Sequence, residues 1–160
     1  MDGKICQELE IPTMSNRVDL GVRVELPAEV FSHLTDELYE SKIVYRTEKF
    51  EDKVRTFCMN PYGSVVSENT NGIITVNGHS YEDKALQTGN TNFALLVSKH
   101  FSEPFKDSNG YGESIARLSN MLGGGVLVQR LVIWCVVAAV PRNAWMKACY
   151  SNSGSRHLVI

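Results

Sequence analysis

Apolar and polar positions change their period several times along the chain. VRVEL, Val22 to Leu26, alternates and predicts a short strand. Pro27 then suits the first turn of a helix. The following AEVFSHLTDELYESK places Val30, Phe31, Leu34 and Leu38 on one face, predicting an amphipathic helix over 28–41. RTEKFEDKVRTFC repeats that spacing with Phe50, Val54, Phe57 and Cys58, and its outer face is charged. From 59 to 92 the periodicity lapses into a stretch rich in Asn, Gly, Ser and Thr. Asn-Gly pairs at 71–72 and 77–78 favour turns with positive φ. IITV between them suits one arm of a small hairpin, but the segment as a whole reads as a long loop containing a short helix.

The second half is more regular. Asn92 is placed to cap a helix NFALLVSKHF, with Phe93, Leu96, Val97, His100 and Phe101 on one face. Pro104 and the turn residues 107–110 interrupt the pattern, and Glu113 to Leu122 resumes it through Ile115, Leu118, Met121 and Leu122. Three glycines, 123–125, follow. VLVQRLVIWCVVAAV is then apolar nearly all round and predicts a central helix, with a buried Val/Ile-rich strand as the competing assignment. Its apolar run Leu131–Val140 is too short to span a bilayer, which needs about 20 apolar residues. RNAWMKACY offers a last short amphipathic helix. The sum is one all-α domain over 1–160, a helical bundle around a central apolar helix with a long loop at about 59–92. The alternative is a single α+β domain with strands at 22–26, 65–76 and 126–140.

Composition narrows the function. A formal net charge of −2 and a pI near 6.1 give no basic excess for a phosphate backbone, so no nucleic-acid partner is expected. Cys6, Cys58, Cys135 and Cys149 are widely spaced and form no CxxC pair, so no metal site is expected. The charged start MDGKICQELE lacks an apolar signal core, which points to a cytoplasmic protein without a membrane anchor. The glycine cluster fits neither a phosphate loop nor a dinucleotide fingerprint. Cys149 with His157, or Cys58, suggests at most a thiol enzyme, and no carboxylate obviously orients such a pair. No enzymatic activity and no cofactor are expected.

Residues 93–125 resemble a known family. NFALLVSKHF followed by FKDSNGYGESIA is similar to the helix and first homology motif of Bcl-2 family proteins. Phe105, Lys106 and Asp107 match the motif's Phe-basic-Asp, Tyr111 stands for its Trp, Gly112 matches its Gly, and Glu113 replaces its Arg. Gly123 and Gly124 fall two residues late for its Gly-Gly. The match looks like the compact virus-encoded members. The resemblance implies an apoptosis inhibitor in the cytosol of a host cell. It would sequester the amphipathic death-motif helix of pro-apoptotic proteins in an apolar groove. That groove would be lined by Phe93, Leu96, Val97, His100, Phe101, Phe105, Tyr111, Gly112, Glu113, Ile115, Arg117 and Leu118. Arg117, Lys99 or Lys106 would stand in for the missing Arg. A homodimer that hides the groove is a further partner reading. The alternative function is a structural or oligomer-forming interaction protein on the α+β fold.

Overall fold

Strand pairing, rather than helical packing, organises most of the regular secondary structure. The computed structural model describes residues 3–14, 16–102, 104, 107–130 and 157–159. The elements are α1 (Gly3–Glu8), β1 (Val18–Pro27), a 3-10 turn (Ala28–Val30), α2 (Ser32–Thr35), β2 (Val44–Arg46), β3 (Lys53–Asn60), β4 (Ser64–Thr70) and β5 (Ile73–His79). A 3-10 turn (Lys84–Leu86), β6 (Asn90–Lys99), α3 (Ser108–Gly123), β7 (Val128–Arg130) and β8 (His157–Val159) follow. Six strands form one antiparallel sheet in the order β2-β3-β6-β1-β8-β7, and β4 and β5 pair separately as a hairpin. Among the described residues no helix is long and apolar enough to cross a membrane.

This architecture is α+β, and the expected all-α bundle is overturned. Most of NFALLVSKHF lies in strand β6, which pairs along its whole length with β1 from Asn90↔Pro27 to Lys99↔Val18. Phe93, Leu95 and Val97 share one face of that strand. The i, i+3, i+4 spacing of Phe93, Leu96 and Val97 arises because both faces of a central strand are covered, which hides the period of two. The predicted helix at 28–41 shrinks to two short turns, and the next one divides into β2, a turn and β3. The resemblance to Bcl-2 proteins therefore fails at the level of the fold, and with it the basis for an apoptosis-suppressing groove. Residues 59–92, read as a long loop, carry the β4–β5 hairpin. Its Asn71-Gly72 turn does take positive φ, 53° and 78°, as that pair predicts. Val128–Arg130 of the expected central helix is strand β7; Leu131–Val140 and RNAWMKACY lie outside the described residues.

The apolar core lies on one face of the sheet. Val24 of β1, Met59 of β3 and Phe93 of β6 are its buried centre, with Val22, Leu26, Leu95 and Phe31 packed against them. Phe31 reaches the sheet because Pro27 ends β1 and the two short helical turns fold the chain back. Its ring meets Phe93 edge-on at 5.2 Å. The opposite face mixes charged and polar residues with Ala94 and Leu96 of β6. There Asp19 accepts hydrogen bonds from Arg55 (2.8 Å) and from the Ser98 hydroxyl, which ties β1, β6 and β3 together.

The hairpin and α3 cover that face. Asp107 starts α3 by accepting from the Gly110 N–H at 2.8 Å. The helix thus begins five residues before the predicted Glu113, through a stretch whose glycines weaken its helical pattern. The terminal glycines stop it: Gly124 takes the left-handed conformation at φ 64°, and the Gly125 N–H returns to the Asn120 carbonyl at 2.9 Å. Asn120 then docks the helix on β5. Its Oδ1 accepts from the Ile74 N–H at 2.8 Å, while its Nδ2 donates to the Ile74 carbonyl at 2.7 Å and to the Gly125 carbonyl at 3.1 Å. One side-chain amide thus pairs with a strand edge as a peptide group would.

Candidate functional site

A charged residue in an alternating strand ordinarily faces water. Arg23, in the middle of β1, is instead 3% exposed. Its Nε donates to Asn92 Oδ1 (2.8 Å), Nη2 to the Cys58 carbonyl (2.7 Å) and Nη1 to Asn77 Oδ1 (3.5 Å). Local backbone features build this cradle. The register between β3 and β6 shifts between Phe57 and Asn60, and Cys58 sits at that irregularity with φ 46°. Its carbonyl accepts from both Arg23 and Asn60 Nδ2, the latter at 2.6 Å. Gly78 on β5 lies against the guanidinium: a Cβ there would stand 1.8 Å from Arg23 Nη2 and 2.4 Å from Asn92 Oδ1. That contact, and not a turn, explains the second Asn-Gly pair.

Among the described residues, no carboxylate bonds the guanidinium directly. Glu68 acts through Asn77, whose Nδ2 donates to Glu68 Oε1 at 3.1 Å. Desolvation lowers the Arg23 pKa from its ordinary value, and Cys58 and Glu68 pull it the other way. The group remains charged, since arginine does not deprotonate in proteins. Asn92 is fully buried, and its Nδ2 has no hydrogen-bond partner among the described residues.

A cleft of about 830 Å³ opens beside this residue, between β1, β6, the hairpin and α3. It runs along β1 from Val18 to Arg23 and along β5 from Ile73 to Val76. Leu96, Gly112, Glu113, Ile115 and Arg117 line it as well, so the cleft gathers five residues of the sequence-predicted groove. The other predicted residues are dispersed. Phe93 is buried in the core, and Val97 lies on the core-side face of β6. His100 is exposed, and Leu118 is exposed on α3. Phe101 meets Tyr111 edge-on at 4.9 Å, and Phe105 lies outside the described residues. Glu113 faces Arg117 at 3.9 Å along the helix, and Lys99 pairs with Asp52, while Lys106 lies outside the described residues. Sequence reasoning missed Arg23, Asn92 and Gly78. The signal available was an Asn-Gly pair sitting inside a strand rather than between two.

A second surface lies at the sheet's end. β2 is a terminal strand, and Val44 and Tyr45 are 52% and 60% exposed. Ile43 and Phe57 beside them are also exposed. Thr56 on β3 fixes this strand. Its N–H donates to the Ile43 carbonyl (2.9 Å), and its hydroxyl accepts from the Ile43 N–H (2.8 Å) and donates to the Ser41 carbonyl (3.1 Å). Positions 43 and 45 therefore turn their backbone groups toward β3. Val44 and Arg46 turn theirs to the open edge.

Among the described residues no cluster of three or more His, Cys, Asp or Glu side chains is arranged to hold a metal ion. Cys58 contributes its carbonyl to the Arg23 cradle; Cys149 lies outside the described residues. The class that the geometry defines is an α+β chain built on a six-stranded antiparallel sheet. No protein-family model matches it. Over 121 residues it is 31% identical to an uncharacterized protein of Clostridium beijerinckii, a match that takes in 66% of this chain and 22% of that protein. The chain thus spans under a quarter of that relative's length.

Proposed function

We propose that this chain is an oligomer-forming interaction module that joins to a second copy through the open edge of β2. The observation that supports this is the edge itself: a terminal strand with exposed Val44 and Tyr45, whose register turns the Val44 and Arg46 backbone groups outward. Such edges accept another strand by main-chain hydrogen bonding, and proteins that avoid this place charges, prolines or bulges there. A twofold antiparallel pairing must match outward positions with outward positions. Centring on Val44 sets Lys42 against Arg46, and centring on Arg46 sets Arg46 against itself. Centring on Tyr45 avoids both clashes. It pairs Val44 with Arg46, stacks the two Tyr45 side chains and sets Lys42 against Glu48. The product is one continuous sheet made from two six-stranded ones.

Sedimentation velocity over a concentration series tests this, with Val44→Pro as the variant. The Val44 N–H makes no bond to β3, so proline there removes an intermolecular donor and spares the β2–β3 pairing. The expected result is a wild-type dimer and a monomeric variant with an unchanged far-ultraviolet circular dichroism spectrum. A wild-type chain that stays monomeric at hundreds of micromolar, or a variant that dimerises equally well, overturns the proposal.

A further inference from the structure

We propose that the cleft beside β1 binds an aliphatic carboxylate, with its chain between the sheet and α3 and its head group on Arg23. The cleft volume of about 830 Å³ falls within the roughly 300–1,000 Å³ typical of small-molecule sites. Its walls include Ile74 and Val76 from the hairpin, Leu96 and Ala94 from β6, and Ile115 from α3. Arg23 stands at one end, where the lining of β5 stops at Val76 and the next residue, Asn77, holds the guanidinium.

Charge selects the head group. Two acidic residues line the cleft, and each has its own cation: Asp19 is held by Arg55 at 2.8 Å, and Glu113 faces Arg117 at 3.9 Å. Of the two basic residues described along the cleft, Arg117 has Glu113, whereas Arg23 has no bonded carboxylate among the described residues. Its three partners are two amide oxygens and a backbone carbonyl, and three of its five N–H groups are engaged. A buried guanidinium is expensive to leave without a counter-charge. A carboxylate supplies that charge and takes charge-assisted hydrogen bonds from the remaining donors. An aliphatic chain fills the apolar walls, so one molecule with both parts satisfies both ends of the cleft.

Calorimetric titration with decanoate, decanol and decylamine tests the assignment. Decanoate is expected to saturate one site per chain. Decanol is expected to bind about tenfold or more weakly for want of a charge-assisted bond to Arg23, and decylamine not at all. Two variants distinguish this site from non-specific apolar binding. Asn92→Asp places a carboxylate where the Arg23 Nε already has its partner, so it supplies the counter-charge from within. It is expected to reduce decanoate affinity about tenfold, to the level of decanol, and to leave decanol unchanged. Ala116→Trp fills the cleft from α3 without touching Arg23 and is expected to abolish binding of both. The cleft lies on β1 and β6, two strands from β2, so Val44→Pro should leave decanoate affinity unchanged whatever it does to the dimer. Equal affinity for decanoate and decanol, no decanoate binding, or full decanoate affinity in Asn92→Asp overturns the proposal.

Discussion

Replacing Asn120 by alanine isolates the contact that docks α3 on the hairpin. The side chain makes three hydrogen bonds, two of them to the N–H and carbonyl of Ile74 and one to the Gly125 carbonyl. A neutral hydrogen bond contributes about 0.5–1.5 kcal/mol net, and a buried group left without a partner costs about 1–3 kcal/mol. Asn120 and Ile74 are half-buried, so water can reach part of the exposed edge, and the lower ends of those ranges apply. The expected loss is about 2–3 kcal/mol. For a chain of this size that is about 4–12 °C in melting temperature. Urea denaturation should show a lower midpoint with an unchanged slope, because the same surface is exposed on unfolding. Amide exchange should accelerate at Ile74 specifically. Leu118→Ala and Met121→Ala serve as controls on the same helix, since these residues are 47% and 74% exposed and should change stability by less than about 0.5 kcal/mol. A change in Asn120→Ala no larger than in those controls, or an Ile74 amide that exchanges as before, would refute the reasoning.

Substitutions at four other positions test the packing on both faces of the sheet. Gly78→Ala drives a methyl group into the Arg23 guanidinium and should cost about 3 kcal/mol or more in denaturation midpoint analysis. Gly89→Ala, with open space around it, should be within about 1 kcal/mol of wild type. Thr91 is fully buried with an unpartnered hydroxyl, so Thr91→Val should stabilise the fold, by up to about 2 kcal/mol; a loss of stability there would show that the hydroxyl is satisfied. Cys58 holds φ 46°, where a side chain costs about 1–2 kcal/mol relative to glycine, so Cys58→Gly should be neutral or stabilising once glycine's own entropy cost of about 0.5–1 kcal/mol is subtracted. Cys58→Ala keeps the strain and should show no such gain in thermal melts.

Sequence pattern revealed the parts of this fold whose two faces differ. VRVEL sits within β1, and Asn71-Gly72 marks the hairpin turn, because each has a local physical cause. The helix at Glu113–Leu122 is legible for the same reason, although its first turn depends on the Asp107 side chain. β6 is different. It lies between β3 and β1 with Phe93 and Leu95 on the core side and Ala94 and Leu96 under the hairpin and helix, so alternation vanishes and helical spacing is mimicked. The same covering hides the candidate site. Arg23 reads as a solvent-facing position of β1 until the hairpin, distant in sequence, is laid across it. The edge at β2 was illegible because Val44 and Tyr45 fall between two segments that mimic helices.

The order of the strands also governs how the chain is made. β1 ends at Pro27, its partner β6 begins at Asn90, and its other neighbour β8 begins at His157. During synthesis the central strand therefore emerges long before either neighbour, with both of its edges bare. Only β2 with β3 and β4 with β5 can pair locally in that interval, and closing the long β1–β6 loop must await most of the chain. Pulse-labelled hydrogen exchange during refolding should find β4–β5 amides protected before those of β1. Until β6 arrives, β1 is a strand with one apolar face and two unpaired edges, a hazard for mispairing that the finished fold conceals.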